Sequence, residues 1–149
     1  MKANEAKILI VDDHPINVEL LEAILRGGGY NNIRAVMDST EVERTLAEFP
    51  PDLVLLDWRM PRVSGREILQ MLRTRAGGHY IPVFVITADI TEETQMIALR
   101  EGATEFVAKP IDAIDLLVRI GNLLELRRLH ERFENVITAT RIDAGSTST

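Results

Sequence analysis

The chain has 149 residues with a formal net charge of −6 at pH 7, 46% hydrophobic and 27% charged residues, and no cysteine. That length predicts one self-sufficient domain, and the lack of cysteine excludes thiolate catalysis, cysteine-ligated metals and disulfides. A pI near 5.1 without a basic block argues against direct nucleic-acid binding, and apolar runs far shorter than the ~20 residues of a membrane span favour a cytoplasmic protein with no membrane contact.

Short apolar runs rich in valine and isoleucine recur along the chain, as in buried parallel strands. They predict five strands, at residues 8–11, 33–37, 53–56, 83–86 and 105–108. Helical patterns between the runs predict helices at 15–25, 39–49, 64–73 and 91–100, and a fifth that Asp112 caps. Strands and helices that alternate with short connections predict an α/β fold with one parallel sheet covered on both faces.

The first helix carries an apolar pattern that predicts which of its faces is buried. Ile16, Leu20, Ala23 and Ile24 fall on one side of a helix over residues 15–25. Three glycines at 27–29 supply the backbone freedom with which helices commonly end. We therefore expect this side of the helix to pack against the sheet.

Polar residues stand at the end of four of the five predicted strands. Each of them alone is more typical of a turn or a helix cap than of a ligand. In open α/β sheets, however, ligands bind beyond the carboxyl ends of the strands, so four such residues together favour a single site. The residues are Asp12 and Asp13, Asp57, Thr87, and Lys109.

The chemistry of these side chains indicates a phosphoryl site. Carboxylates that converge to ~4 Å repel by about 4 kcal/mol at an effective dielectric of 20, so the acids need a cation. An all-oxygen ligand set favours a hard divalent ion such as Mg²⁺. Lys109 and Thr87 could bind the oxygens of a phosphoryl group on Asp57, which would act as the nucleophile and form an acyl phosphate.

These residues occur in sequence contexts that resemble the receiver domains of bacterial two-component response regulators. The matching segments are ILIVDD at 8–13, PDLVLLDWRMP at 51–61 followed by Ser64 and Gly65, VITA at 85–88, and GATEFVAKP at 102–110. The resemblance covers about residues 7–126. It implies a doubly wound, flavodoxin-like fold with five parallel strands in the order 2-1-3-4-5.

The resemblance also implies a phosphorelay function. A sensor histidine kinase or a phosphotransfer protein would transfer a phosphoryl group to Asp57, and the domain would switch its surface for output. Mg²⁺ would be bound by Asp13, Asp57 and the backbone carbonyl of Arg59, with Asp12 acting through water. The chain's own enzymatic activity would be limited to self-phosphorylation and self-dephosphorylation.

Further roles follow from the same resemblance. Thr87 and Lys109 would contact the phosphoryl group, and the peptide bond between Lys109 and Pro110 would be cis. Thr87 and Phe106 match the switch pair of the family, although a half-buried strand aromatic would also explain Phe106. Arg59 and Asp89 stand where phosphoryl lifetime is tuned in the family, and their opposite charges suggest that they pair.

Two residues beside the acids have simpler interpretations. His14 follows the acid pair, and we expect it at the mouth of the site or at the start of the first helix rather than as a metal ligand. Trp58 follows Asp57, and we expect it to fill a packing gap or form surface.

The end of the chain extends beyond a minimal receiver. We assign residues 1–126 to the receiver and 127–149 to a helical extension with a flexible tail from Arg141. Apolar residues spaced 3, 4 and 3 apart form a short coiled-coil-like seam, namely Leu126, Leu129, Phe133 and Val136. The sequence leaves two interpretations open: a solvated extension of the last helix, or a signalling helix that leads to an effector domain or forms a homodimer contact.

Two other function classes compete with the signalling receiver. A phosphate-independent interaction module would keep the fold without the switch, but the intact Asp13, Asp57, Thr87 and Lys109 argue against it. A phosphatase with an aspartyl nucleophile would need a second acid two residues after Asp57, and Arg59 occupies that position.

Overall fold

A computed structural model describes residues 5–75 and 80–146 of the chain. Strands and helices alternate along it, and their bounds agree with the predicted ones to within two residues except at the start of the second helix and at the end of the last one. They are β1 (Lys7–Val11), α1 (Pro15–Gly27), β2 (Asn32–Val36), α2 (Val42–Glu48), β3 (Leu53–Asp57), α3 (Gly65–Arg75), β4 (Val83–Thr87), α4 (Glu92–Arg100), β5 (Glu105–Ala108) and α5 (Ala113–Ser146).

The five strands form one parallel sheet in the order β2-β1-β3-β4-β5. In the central pairs, Ile10 lies opposite Leu55, and Leu55 lies opposite Phe84. This topology confirms the predicted doubly wound fold. The order reverses at β1, so the crevice at the carboxyl ends of β1 and β3 is where the fold favours a ligand.

Alternate residues of each strand pack on opposite faces of the sheet. Ile8 and Ile10 belong to a core cluster that includes residues of α1 and α5. Leu9 and Val11 belong to a second cluster that includes residues of α2, α3 and α4. Because successive side chains of a strand point to opposite faces, a sheet buried on both sides needs an unbroken apolar run, which explains why the strands were recognisable in the sequence.

The buried face of α1 differs from the predicted one. Ile16 is 80% exposed and Leu20 is 47% exposed, whereas Val18, Leu21 and Leu25 are buried. Ala23 is also exposed, and Ile24 packs at the margin of the core. The prediction was wrong because two apolar stripes at helical spacing overlap in this helix. Contacts with α5 and the sheet, which no local pattern reveals, decide which stripe is buried.

The second helical segment begins as a 3-10 turn over Ser39–Glu41 rather than as the predicted α-helix. Asp38 caps this turn by accepting the backbone N–H of Thr40. The buried hydroxyl of Ser39 donates to the carbonyl of Pro61 and accepts the N–H of Val63. These bonds tie the turn to the loop after β3, and this tertiary constraint explains the tighter local geometry.

The last helix is longer than the sequence pattern predicts. Asp112 accepts the backbone N–H of Asp115 and thereby caps α5 as predicted. The helix continues to Ser146, past the point at Arg141 where a flexible tail was expected, and residues 147–149 lie outside the described part of the chain. No proline interrupts this segment, so the helix that starts against the sheet at Ala113 can propagate. Among the described residues, no helix combines the length and apolar character that a membrane crossing requires.

Candidate functional site

The carboxyl ends of four strands bring the predicted site residues to one edge of the sheet. Asp12 and Asp13 follow β1, Asp57 ends β3, Thr87 ends β4, and Lys109 follows β5. Ligand atoms of Asp12, Asp13, His14 and Asp57 all lie within 4.8 Å of one another. The convergence expected from the sequence is therefore present, and His14, which is the exposed N-cap of α1 as expected, lies beside the acids.

The chain turns sharply after β1, and this turn presents the acid pair. The backbone N–H of Asp12 donates to the carbonyl of Val36 at the end of β2 (3.1 Å). The Asp12 carboxylate accepts the backbone N–H of His14 (2.9 Å), which closes the turn and starts α1 at Pro15. Sheet pairing and a local side-chain bond thus fix Asp12 and the start of α1 relative to each other.

Close packing of α3 against the end of β3 positions Asp57. The N–H of Gly65 donates to the carbonyl of Trp58 (3.0 Å). A Cβ atom at Gly65 would lie 2.7 Å from Trp58 Cα and 2.9 Å from the Asp57 carbonyl oxygen, so glycine is required for this approach. Trp58 itself is half-buried against the core cluster on the α2, α3 and α4 side, which agrees with its predicted packing role.

Asp57 is a buried carboxylate in an unfavourable environment for charge. Its side chain is 5% exposed. Burial raises its pKa to about 6, the negative charge of Asp12 adds to the shift, and Lys109 opposes it. The ammonium of Lys109 lies 3.7 Å from Asp57 Oδ1 and 3.7 Å from Asp12 Oδ2. The cluster still carries more negative than positive charge, so it favours a further cation.

The acids fit a divalent metal ion. Among the described residues, Asp13 Oδ1 is the buried side-chain oxygen that makes no hydrogen bond. A buried carboxylate oxygen without a donor costs free energy unless a cation contacts it. Three carboxylates without cysteine make a donor set that hard ions such as Mg²⁺ prefer. The role of the Arg59 carbonyl as a further ligand stays a prediction.

Thr87 and Phe106, the predicted switch pair, lie on the neighbouring strands β4 and β5. Thr87 is buried, and its hydroxyl accepts the backbone N–H of Asp89 (3.1 Å). Ala88 is exposed and small, which leaves the approach to Asp57 open. Phe106 is half-buried and packs against the α2, α3 and α4 side of the core. The Lys109–Pro110 peptide is cis, as expected. Movement of Thr87 and Phe106 stays a prediction.

Arg59 and Asp89 pair as their charges suggested. The guanidinium donates from Nε to Asp89 Oδ2 (3.1 Å), and its Nη2 contacts the same oxygen. Thr94 donates its hydroxyl to that oxygen, and the N–H of Thr91 donates to Oδ1. The Arg59 side chain, with these further bonds, holds the pKa of Asp89 well below its usual range. The sequence did not reveal Thr94, because nothing in its spacing distinguishes it from a solvated residue of α4.

Two clefts flank the acid cluster on the surface. One, of about 450 Å³, lies between the β1, β2 and β3 loops and is lined by Asp13, Met37, Asp38, Ser39, Pro61 and Arg62. The other, of about 500 Å³, is lined by Trp58, Arg59, Met60, Ser64, Asp89 and Thr94. The Arg59–Asp89 pair thus lines a cleft next to Trp58, the residue that follows Asp57.

Known proteins with similar sequences belong to the family that the site residues suggested. The family described as response regulator receiver domain matches residues 8–121. The DNA-binding response regulator MtrA of Mycolicibacterium smegmatis is 32% identical over 120 residues, which are 80% of this chain and 51% of that protein. The response regulator PleD of Caulobacter vibrioides is 35% identical over 122 residues, 82% of this chain and 27% of PleD. The chain therefore spans about half of one relative and about a quarter of the other.

Solved structures give the same result. A response regulator receiver domain protein from Clostridium thermocellum superposes with a TM-score of 0.75 and 31% identity, covering 83% of this chain and 98% of that one. The receiver domain of the sensor histidine kinase PA1611 from Pseudomonas aeruginosa superposes with a TM-score of 0.73 and 27% identity, covering 80% and 98%. The latter structure holds a magnesium ion coordinated in its active site cleft.

Proposed function

Since the chain belongs to the family of response regulator receiver domains, we propose that Asp57 accepts a phosphoryl group from a sensor histidine kinase or a phosphotransfer protein. The phosphorylated domain then presents a changed surface to its target. The observation that carries this proposal is the environment of Asp57, a buried carboxylate with a lysine ammonium at 3.7 Å and two further acids beside it.

The proposed step is a phosphoryl transfer between two side chains. An oxygen of Asp57 forms a bond to phosphorus while the bond from phosphorus to the donor's histidine nitrogen breaks, and the product is an acyl phosphate. Lys109 binds an oxygen of the transferred group, and the hydroxyl of Thr87 donates to another.

Asp13, Asp57 and the backbone carbonyl of Arg59 would hold Mg²⁺, with Asp12 acting through water. The orphaned oxygen of Asp13 and the PA1611 receiver, which has Mg²⁺ in its cleft, support this assignment. When bound, Mg²⁺ supplies neutralisation of the negative charge that gathers on the phosphoryl oxygens.

The remaining parts of the proposal concern output. Thr87 would move toward the phosphoryl group and Phe106 would turn inward behind it. Self-phosphorylation from small donors and self-dephosphorylation would be the only reactions of the chain itself. The acidic net charge of −6 supports an output that does not involve nucleic-acid binding by this segment, and the cysteine-free composition supports a cytoplasmic location.

The alternative functions are less well supported. A phosphate-independent module would not need a buried aspartate with a lysine ammonium beside it. A phosphatase would need a general acid where Arg59 stands, and the Arg59 side chain instead pairs with Asp89.

Residues 1–126 would form the receiver, and residues 127–149 would form an extension that contacts a second copy or leads to an effector domain. In support, Leu126, Leu129, Phe133 and Val136 are between 47% and 64% exposed along one side of α5. We favour the second copy, because this stripe has the spacing of a coiled-coil seam.

Intact-mass measurement with acetyl phosphate and Mg²⁺ tests the central proposal. The chain should gain one phosphoryl group that is stable in acid and labile in base. Asp57→Asn should not gain it, Asp13→Asn should require more Mg²⁺, and Lys109→Ala should bind metal but phosphorylate poorly. Asp115→Asn, an acid of α5 outside the site, is the matched control and should behave like the wild type. Full incorporation in Asp57→Asn would refute the assignment.

A further inference from the structure

We propose that His14 is a nitrogen ligand of the metal site, and that it makes this site bind first-row transition ions such as Ni²⁺ far better than carboxylates alone would. The inference rests on the proposed function, because it takes Asp12, Asp13 and Asp57 as the metal site. It adds a fourth side-chain donor, an imidazole nitrogen, to the three carboxylates.

The distances around His14 Nδ1 are those of donors that share one ion. This nitrogen lies 3.1 Å from Asp13 Oδ1, 3.4 Å from Asp12 Oδ1 and 4.0 Å from Asp57 Oδ2. Six ligands at about 2.1 Å from a small divalent ion place neighbouring donors about 3.0 Å apart and opposite donors about 4.2 Å apart. The nitrogen is thus spaced as a neighbour of the Asp13 oxygen and nearly opposite the Asp57 oxygen.

Asp13 is the acid that lies nearest to the imidazole of His14. Its Oδ1 atom is buried and makes no hydrogen bond among the described residues. Lys109, the cation on the other side of the cluster, contacts Asp12 and Asp57. The orphaned oxygen therefore faces the imidazole, and an ion between the two would satisfy both.

The backbone holds His14 in place without occupying its ring. His14 is the N-cap of α1, and its N–H donates to the Asp12 carboxylate (2.9 Å). Its side chain makes no capping hydrogen bond, and it is 62% exposed. The ring is therefore available to an ion, and its outer edge faces solvent.

Ligand chemistry predicts which ions respond to His14. Imidazole nitrogen binds Ni²⁺, Co²⁺ and Zn²⁺ strongly, whereas Mg²⁺ prefers oxygen and retains several waters. Removing the imidazole should therefore weaken a transition ion selectively. A histidine that acted only as a counter-charge would affect both kinds of ion in the same way.

The fluorescence of Trp58, the single tryptophan of the sequence and the neighbour of Asp57, reports binding at this site. We would titrate the wild-type chain and His14→Ala with Mg²⁺ and with Ni²⁺ at pH 8, well above the ordinary pKa of imidazole. His130→Ala is the matched control, because His130 lies on α5 and pairs with Glu134. Its variant should bind both ions like the wild type.

We expect His14→Ala to weaken Ni²⁺ binding about tenfold or more and to leave Mg²⁺ binding within about twofold. The Co²⁺-loaded wild type should also show one paramagnetically shifted, exchangeable imidazole proton that His14→Ala lacks. An unchanged Ni²⁺ affinity, or equal losses for both ions, overturns the role of His14. Mg²⁺ binding that is insensitive to Asp13→Asn overturns the metal site itself, so the two failures are distinguishable.

Discussion

The burial of the charged Asp57 carboxylate destabilises the folded protein by an amount that depends on pH. Its pKa rises from an ordinary 3.8 to about 6 because of burial and the neighbouring Asp12. Between pH 4 and pH 6 the folded protein binds more protons than the unfolded chain, so stability falls as pH increases through this range. A shift of that size corresponds to about 2–3 kcal/mol of lost stability, fully present above pH 6.

Asp57→Asn should therefore stabilise the protein in the absence of divalent ions. With a chelator at pH 7.5, we expect the free energy of unfolding to rise by about 2 kcal/mol, because the amide is neutral. The gain should vanish near pH 3.5, where the wild-type carboxyl is protonated in both states. Urea unfolding across this pH range measures the difference. Asp115→Asn should show no such trend, and a gain that does not vary with pH would contradict the explanation.

The Arg59–Asp89 pair should prolong the phosphorylated state. Hydrolysis of an acyl phosphate needs a water in line with phosphorus, and this pair lines the cleft beside Trp58, the residue that follows Asp57. Because the Arg59 side chain is exposed and solvent screens the contact, the effect should be a factor of about five in rate at most. Arg59→Ala and Asp89→Ala should each accelerate dephosphorylation, and high salt should weaken the effect in the wild type.

A double-mutant cycle on the dephosphorylation rate tests whether Arg59 and Asp89 hinder the attacking water as a pair or whether the two side chains act independently. Coupling between the two substitutions is the expected result, and strict additivity would show that the residues act separately. Arg34→Ala is a suitable control, because Arg34 forms an exposed pair with Glu48 and neither residue lines either cleft.

Local sequence patterns predicted which residues form the site, but they did not predict all the contacts between those residues. Asp12, Asp57 and Lys109 were recognisable because each follows a strand, and strand order then brings them together. The bond from Thr94 to Asp89 and the approach of His14 Nδ1 to Asp13 were not predictable. Both depend on the geometry of the loops that follow the strands, which the sequence does not specify locally.

At the scale of elements, strands were predictable because burial on both faces demands continuous apolar runs. The helices were harder, as α1 shows: Ile16 and Leu20 have a helical spacing as regular as that of the buried Val18 and Leu21. Only the position of α1 relative to α5 and the sheet distinguishes the two stripes. The 3-10 turn at Ser39 has the same kind of cause, a bond to the distant Pro61.

Contacts of Arg127, which the sequence pattern did not predict, anchor helix α5 to the edge of the sheet opposite the acids. Arg127 is nearly buried, and its guanidinium binds Asp52 just before β3 and the carbonyl of Tyr80 before β4. Asp52 also accepts the N–H of Lys7 at the start of β1 (2.8 Å). The ring of His130 packs against Tyr80 with centroids 5.1 Å apart. These contacts fix the direction in which the helix leaves the receiver.

Removing this anchor should loosen the helix extension and destabilise the fold. Arg127→Ala leaves the Asp52 carboxylate and the Tyr80 carbonyl without their partner, and we expect a loss of about 1–3 kcal/mol in the free energy of unfolding. Amide hydrogen exchange should accelerate in residues 126–134. Arg128→Ala, which removes a more exposed bond to Glu125, should leave the free energy of unfolding close to that of the wild type, because solvent screens this pair. Equal effects of the two variants would argue against an anchor.

For the whole molecule, the phosphoacceptor and the helix anchor lie at opposite ends of the strands. Five strand residues separate the two edges, a length of about 16 Å. A signal that begins at Asp57 and leaves through the extension of α5 must therefore pass along the sheet and its packed helices. The anchor makes such transmission feasible, because a helix fixed at Arg127 turns with the receiver instead of moving independently.

The exposed seam on α5 predicts how the molecule assembles. Pairing two copies along this seam would remove four apolar side chains of each copy from water, all of them about half exposed or more in a single chain. We therefore expect a concentration-dependent dimer, which a phosphoryl mimic such as beryllofluoride should shift. In sedimentation experiments, we expect the mass to rise with concentration from that of one 16.7 kDa chain toward twice that value.

Phe133→Glu should abolish this rise, because it places a charge in the centre of the seam, and truncation after Glu125 should do the same. Ile16→Glu is the matched control, since Ile16 is equally apolar and more exposed but lies on α1, outside the seam. A full-length chain that stays monomeric at high concentration, or a dimer that survives Phe133→Glu, would exclude the seam as the contact. Loss of the dimer in Ile16→Glu would place the contact on α1, and the extension would then be left to serve as a linker.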